Sequence, residues 1–364
     1  MSESLRIDEK WAVAMKRPFY IAGPCSAESE EQVVNTAKEL KAIGIDLFRA
    51  GIWKPRTRPN SFEGIGSVGL PWLKIVKEEV GLPVTIEVAN PKHVEQALKF
   101  DIDVLWIGAR TTVNPFQVQE IAEALKGVDI PVFVKNPVNP DINLWIGAFE
   151  RLSNVGITKL AAMHRGFSTY EKSIFRNEPK WEIPIDLKRR MPEMPIFCDP
   201  SHIVGKREGL QEIAQKALDL NYNGVMLETH PNPAKAWSDP EQQITPNQLK
   251  TLLSKLIIRQ QATNISDTVN ELEQLRANID RIDYLTLDLL AERMEIARKI
   301  GTYKKDRNMT ILAPDRWEEI IKTRSAKADE KKLTLDFILN LFKDIHNESI
   351  HQQTSVMRDD NKTD

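Results

Sequence analysis

Four side chains in the first two-thirds of this chain, Cys25, His202, Glu228 and Asp239, make a mixed sulfur, nitrogen and oxygen donor set. A structural zinc site would normally use four Cys or His ligands. A mixed set suits one divalent ion with a coordination position left for a substrate oxygen or water. Seven cations form a second group: Arg49, Lys54, Arg56, Arg58, Arg110, Lys135 and Arg165. Gathered at one pocket they would repel each other unless anions filled it, and arginine forks match phosphate and carboxylate oxygens. The substrates implied are two phosphorylated molecules, one also a carboxylate, bound beside a divalent ion.

Residues so far apart in sequence need a repeated element to bring them together. Eight short apolar runs supply it: 19–26 (FYIAGPCS), 46–51 (DLFRAG), 83–89 (PVTIEVA), 104–110 (VLWIGAR), 131–136 (PVFVKN), 159–166 (KLAAMHRG), 195–202 (PIFCDPSH) and 224–230 (GVMLETH). Nearly all end in a group that binds phosphate, carboxylate or metal. Their lack of polar alternation suits parallel strands buried on both faces. Amphipathic helical stretches at 30–43, 70–80, 93–100, 115–125, 144–155, 209–220 and 246–258 lie between them, giving βα units. The pattern predicts an α/β fold of the (β/α)8 TIM-barrel type, with every functional strand end on one face. The sixth unit is irregular, and 167–181 is expected to be an active-site loop. Cys198 is expected to pack behind its strand.

At 364 residues the chain is long enough for two domains, and its formal net charge of −2 gives no bulk reason to invoke nucleic acid or an anionic membrane. Two cysteines in a chain this size argue against a disulfide framework and fit a reducing compartment. The acidic N-terminus lacks an apolar signal core, and nowhere do about 18 apolar residues run together, so a soluble, cytoplasmic protein is expected.

After Ile258 the composition turns polar (RQQATNIS) and then helical. The expected division is a barrel at 1–260, a linker at 261–267, a helical domain at 268–355 and a disordered tail at 356–364. The first C-terminal helix carries an apolar stripe from Val269 to Ile300. A second is expected at 315–327 and a third at 333–353. Two short partners cannot cover the long stripe, which predicts an all-α three-helix domain that dimerises.

The motifs AGPCS (22–26), KPRT (54–57), GAR (108–110), HRG (164–166), DPSH (199–202), ETH (228–230) and SD (238–239), in that order, resemble 3-deoxy-D-arabino-heptulosonate 7-phosphate (DAHP) synthase, type I, of the β branch. The resemblance implies condensation of phosphoenolpyruvate with erythrose 4-phosphate, the first step of the shikimate pathway. Cys25, His202, Glu228 and Asp239 would then hold one divalent metal, Mn²⁺ by preference, with Fe²⁺, Co²⁺ or Zn²⁺ as alternatives. Arg49, Lys54, Arg110, Lys135 and Arg165 would hold phosphoenolpyruvate, and Arg56 and Thr57 would face erythrose 4-phosphate. Lys135 and His202 are the candidate proton carriers. A thiolate ligand would make Cys25 open to inactivating oxidation. The related 3-deoxy-D-manno-octulosonate 8-phosphate synthase normally has alanine-asparagine-arginine-serine where this chain has KPRT, which favours the four-carbon acceptor.

The segments LRANIDRID (275–283), LAERMEIARKIG (290–301), Lys304, Asp315–Arg316 and ESIHQQ (348–353) resemble the all-helical chorismate mutase. That resemblance implies a pericyclic conversion of chorismate to prephenate, without a cofactor, on the branch toward phenylalanine and tyrosine. Arg276, Arg293 and Arg316 would clamp the carboxylates, Ser349 would join the binding site, and Lys304 and Gln353 would donate to the ether oxygen. Members are intertwined dimers, so Arg276 would serve the partner's site in a homodimer. Trp317 stands where several members have a glutamate, and Ala313 where others have a polar residue. A catalytic barrel joined to a non-catalytic, dimerising sensor is the alternative. Either arrangement suits feedback on the barrel by chorismate or prephenate.

Overall fold

The computed structural model describes residues 6–14, 17–55, 62–170, 173–259, 266–312 and 314–358. Eight parallel strands, β1 Phe19–Gly23, β2 Leu47–Arg49, β3 Val84–Val88, β4 Val104–Ile107, β5 Val132–Lys135, β6 Leu160–His164, β7 Ile196–Cys198 and β8 Gly224–Glu228, close into a barrel in sequence order. Closure is direct, with Phe19 opposite Gly224 and Gly23 opposite Glu228. Around the strands run α1 Glu9–Ala14, α2 Glu30–Ile43, α3 Leu70–Ile75, α4 Pro91–Lys99, α5 Ala109–Thr112, α6 Pro115–Ala124, α7 Ile142–Asn154, α8 Glu182–Arg190, α9 Pro200–Val204, α10 Leu210–Asp219 and α11 Pro246–Ser254. The stretch expected as one helix over 70–80 continues from α3 as a π-helical turn, Val76–Val80, and ends at Gly81 with φ 72°.

Local chemistry sets these boundaries. Ser29, Asn90, Asn114 and Asp141 accept from backbone N–H groups at the starts of α2, α4, α6 and α7. Thr245 and Gln248 form a reciprocal capping box on α11. Helix α8 was not foreseen, because its polar sequence EIPIDLKRR buries only Pro184 and Leu187. The described part of 167–181 contains no helix and is tied by an antiparallel bridge between Phe167 and Glu178.

Alternation along the strands creates two cores. Ile21, Leu47, Trp106, Phe133, Ala161, Met163, Phe197 and Met226 meet inside the barrel, and Trp11 of α1 packs below them with its ring 6.5 Å from that of Phe133. The intervening residues, Cys198 among them, join the larger layer between sheet and helices. Continuing the inward set by two positions brings Arg49, Glu87, Gly108, Lys135, Arg165, Asp199 and Glu228 to the C-terminal mouth.

The chain divides into two compact units, residues 1–261 and 262–364. The second contains α12 Ser266–Lys305, α13 Pro314–Glu330 and α14 Leu335–Arg358. These bounds correct three expectations: α12 starts at Ser266 inside the expected linker, α13 runs past residue 327, and α14 continues through 356–358, where a disordered tail is expected. Ala297 of α12, Ala328 of α13 and Ile338 and Ser349 of α14 are buried, while Leu275, Ile279, Ile282, Leu285 and Leu289 of α12 are at least half exposed. No described helix is long and apolar enough to cross a membrane.

Candidate active sites

A cleft at the C-terminal mouth of the barrel is lined by Cys25, Arg49, Lys54, Arg110, Lys135, Arg165, His202, Glu228 and Asp239, together with Trp53, Glu87 and Arg176. Every barrel residue predicted from sequence and lying among the described residues therefore faces one space. Arg56, Thr57 and Arg58 lie outside the described residues.

The floor is Trp106. Its indole N–H donates to Glu87 Oε2 at 3.0 Å, and the Arg49 guanidinium and Lys135 ammonium stand 5.1 and 5.5 Å from its ring centroid. Arg49, 2% exposed, pairs with Glu228 at 2.9 Å and donates to the Cys25 carbonyl at 3.1 Å. Burial opposes its charge, yet Glu228, Cys25 and Asp199 leave its affinity for the proton raised. Gly108 completes this floor, since a Cβ there would stand 2.0 Å from Glu87 Oε1.

Lys135 Nζ and His202 Nδ1 each lie 2.8 Å from Asp199 Oδ2. Burial disfavours the Asp199 charge, but His202 and Lys135 outweigh it and hold the carboxyl well below its usual range. On the other side of the ring, His202 Nε2 lies 3.9 Å from Glu228 Oε1. Arg165 donates to Asn177 Oδ1 at 2.7 Å, and Asn177 donates onward to the His202 carbonyl at 2.6 Å. Burial lowers the Arg165 pKa to about 10.

On the opposite wall Lys54 Nζ reaches Cys25 Sγ at 2.7 Å and the Cys25 carbonyl at 2.8 Å. Cys25 Sγ lies 3.4 Å from Asp239 Oδ2. Arg176 pairs with Asp239 at 2.9 Å and donates to Gln242 at 2.6 Å. Burial raises the Cys25 pKa to about 12, with Glu228 adding to the effect and Lys54 opposing it.

The four candidate metal donors thus stand as two pairs, Cys25 with Asp239 and His202 with Glu228. Among the described residues no three His, Cys, Asp or Glu side chains are already placed to hold a metal ion. Their chemistry nonetheless fits a divalent ion: one sulfur, one imidazole nitrogen with the Asp199 carboxylate 2.8 Å from the other ring nitrogen, and two carboxylates.

In the helical unit Arg293 of α12 donates to Ser349 Oγ of α14 and, at 3.5 Å, to the Ile345 carbonyl. Gln353 follows one turn later with its Oε1 buried and unpartnered. Gly301 allows this approach, because a Cβ there would stand 3.0 Å from Gln353 Cα. Lys304 turns to the Ile311 carbonyl. Arg276 and Arg316 are not brought to this group; each makes an exposed pair on its own helix, with Glu273 at 2.7 Å and Glu319 at 2.5 Å. Trp317 stacks on His346, ring centroids 4.3 Å apart. Ala313 lies outside the described residues.

Residues 13–265 match the DAHP synthetase I family. The chain belongs to that family. Residues 275–354 match chorismate mutase type II, so the DAHP synthetase barrel is followed by a chorismate mutase type II domain. The phospho-2-dehydro-3-deoxyheptonate aldolase of Thermotoga maritima is 32% identical over 236 residues, covering 65% of this chain and 68% of that protein. Its crystal structure superposes with a TM-score of 0.59 at 31% identity, covering 65% of this chain and 67% of that one. The 2-dehydro-3-deoxyphosphooctonate aldolase of Burkholderia multivorans is 29% identical, covering 69% of this chain and 93% of its own.

For this DAHP synthetase barrel, sequence reasoning gave no role to Trp53, Glu87 and Arg176, which line the cleft, or to Asp199 and Trp106, which contact its lining residues. Glu87 and Asp199 were recoverable: each follows an inward strand residue by two positions. Trp106 looked like core and is core on one face. Arg176 sits in the irregular sixth unit, where no periodicity marked it.

Proposed function

We propose that the chain is a bifunctional enzyme, a metal-dependent DAHP synthase joined to a chorismate mutase. The observation that carries the first half is the cleft itself, where six cations (Arg49, Lys54, Arg110, Lys135, Arg165 and Arg176) face three carboxylates (Glu87, Glu228 and Asp239). That excess suits phosphoenolpyruvate, a phosphate and a carboxylate in one small molecule. Lys54, Arg110 and Arg165 hold these groups, while Arg49 and Lys135 orient the enol above Trp106. The methylene carbon of phosphoenolpyruvate then attacks the aldehyde of erythrose 4-phosphate, water adds to the cationic carbon left behind, and phosphate departs. Lys135 and His202, joined through Asp199, hold and move the protons. Cys25, His202, Glu228 and Asp239 would bind the divalent ion, Mn²⁺ by preference, which supplies Lewis-acid polarisation of the aldehyde oxygen. Arg56 and Thr57 would receive the acceptor phosphate.

In the helical domain Arg293, Ser349, Gln353 and Lys304, with Arg316, hold chorismate, and no cofactor is needed. The exposed apolar face of α12 supports a homodimer in which Arg276 reaches the partner's site. Prephenate or chorismate bound there inhibits the barrel. Two free cysteines support a cytoplasmic location.

The test is product identity. With phosphoenolpyruvate, erythrose 4-phosphate should be consumed in preference to arabinose 5-phosphate, and the same preparation should convert chorismate to prephenate. Preference for arabinose 5-phosphate would overturn the acceptor assignment. Loss of chorismate turnover with prephenate binding retained would make the helical domain a sensor.

A further inference from the structure

One face of α14 presents Phe342, His346, Ser349 and Gln353, at the spacing that aligns side chains along a helix. The Arg324 guanidinium of α13 lies 6.0 Å from the Phe342 ring. Trp317, also on α13, stacks on His346 with 23° between the planes. Arg293 holds Ser349, and the Gln353 Oε1 is buried without a partner. Three helices therefore place two guanidiniums, an imidazole, a hydroxyl and an amide along one stripe.

The charges there are unbalanced. Arg276, Lys299 and Arg316 each have a carboxylate partner in this domain. Among the described residues Arg293 and Arg324 have none within ion-pair distance. Burial, and then the charge of Arg324, lower the Arg293 pKa, and burial followed by Arg293 does the same to His346. Cations that repel one another along one stripe, with no carboxylate paired to either guanidinium among the described residues, favour an anion between them.

We infer that Arg324 and His346 are substrate-binding residues of the helical domain: Arg324 shares with Arg293 a carboxylate of a ring-bearing dicarboxylate, and His346, braced on Trp317, hydrogen-bonds the ring hydroxyl. The inference rests on the chorismate mutase reading and adds to it. Trp317 would then act as the rigid support of the imidazole, on a helix that also supplies Arg324.

The test uses the full chain. Arg324→Leu keeps bulk over Phe342 and removes the charge; it should raise KM for chorismate about tenfold or more, the loss expected for one charged hydrogen bond, with kcat within about threefold. Arg324→Lys should recover part of that loss. His346→Leu should weaken chorismate, with His346→Gln recovering part. Trp317 is the one tryptophan in residues 262–364, so subtracting the emission of Trp317→Phe isolates its signal; prephenate should quench it in the parent and less in Arg324→Leu. Far-ultraviolet dichroism and barrel turnover without chorismate check that each variant folds. Parent-like KM and quenching in folded Arg324→Leu and His346→Leu would overturn this inference and leave the mutase reading standing. A parent that neither converts chorismate nor binds prephenate would overturn both.

Discussion

Buried charges at the barrel mouth are held in pairs, and their loss should be costly one side at a time. Asp199 is fully buried and kept ionised by Lys135 and His202. Lys135→Ala should therefore destabilise the barrel by about 3 kcal/mol, read as the shift of its urea midpoint, because a carboxylate is stranded in the core. A substitution with no stability loss would show that His202 alone satisfies Asp199. Gly108→Ala should reduce synthase turnover with little loss of stability, since the new methyl group pushes the Glu87 carboxylate off the Trp106 indole N–H. His164 faces away from the cleft, with Nε2 donating to the Pro179 carbonyl at 2.6 Å and Nδ1 accepting from Tyr222 at 3.2 Å. Burial lowers its pKa to about 4. The unfolded chain takes up a proton near pH 6.5 that the folded chain refuses, so stability falls as pH drops from about 6.5 to about 4, by up to about 3 kcal/mol. His164→Gln should flatten that slope in pH-dependent denaturation, and an unchanged slope would contradict it.

At the scale of elements, the apolar runs made all eight strands legible, because parallel strands buried on both faces leave an unbroken signal. Inward parity then carried Arg49, Lys135, Arg165 and Glu228 to one mouth. What parity could not carry was the sixth unit: the loop holding Arg176 and Asn177 is positioned by long-range bonds to Asp239, Gln242 and His202 that have no local signature. Helix α8 was hidden for a similar reason, being largely polar. The helical domain was legible as helices and less so as a site, since Arg276 and Arg316 meet only their own helices within one chain. Its apolar face leads to a direct test. Ile279→Glu with Leu289→Glu should convert a dimer to a monomer by sedimentation and abolish chorismate turnover while the barrel remains active. A variant that keeps both the dimer and the mutase would exclude α12 as the interface.

For the molecule as a whole, joining a first-step enzyme to a branch-point enzyme favours regulation over transfer of an intermediate, because the product of one is not the substrate of the other. Inhibition of the barrel by prephenate requires that the ligand bind one state of the chain more tightly, and the coupling must be reciprocal. Saturating prephenate should lower synthase rate and change the small-angle scattering profile, and cleavage between residues 259 and 266 should remove the inhibition. No change in either rate or profile would refute the coupling. The most direct measurement is a paired assay on one preparation: phosphate release from phosphoenolpyruvate and erythrose 4-phosphate with Mn²⁺, then with EDTA, and chorismate loss under both conditions. Both activities should be present, with EDTA abolishing the first alone. Synthase turnover that survives exhaustive chelation, or mutase turnover that does not, would contradict a metal-dependent barrel joined to a metal-independent mutase.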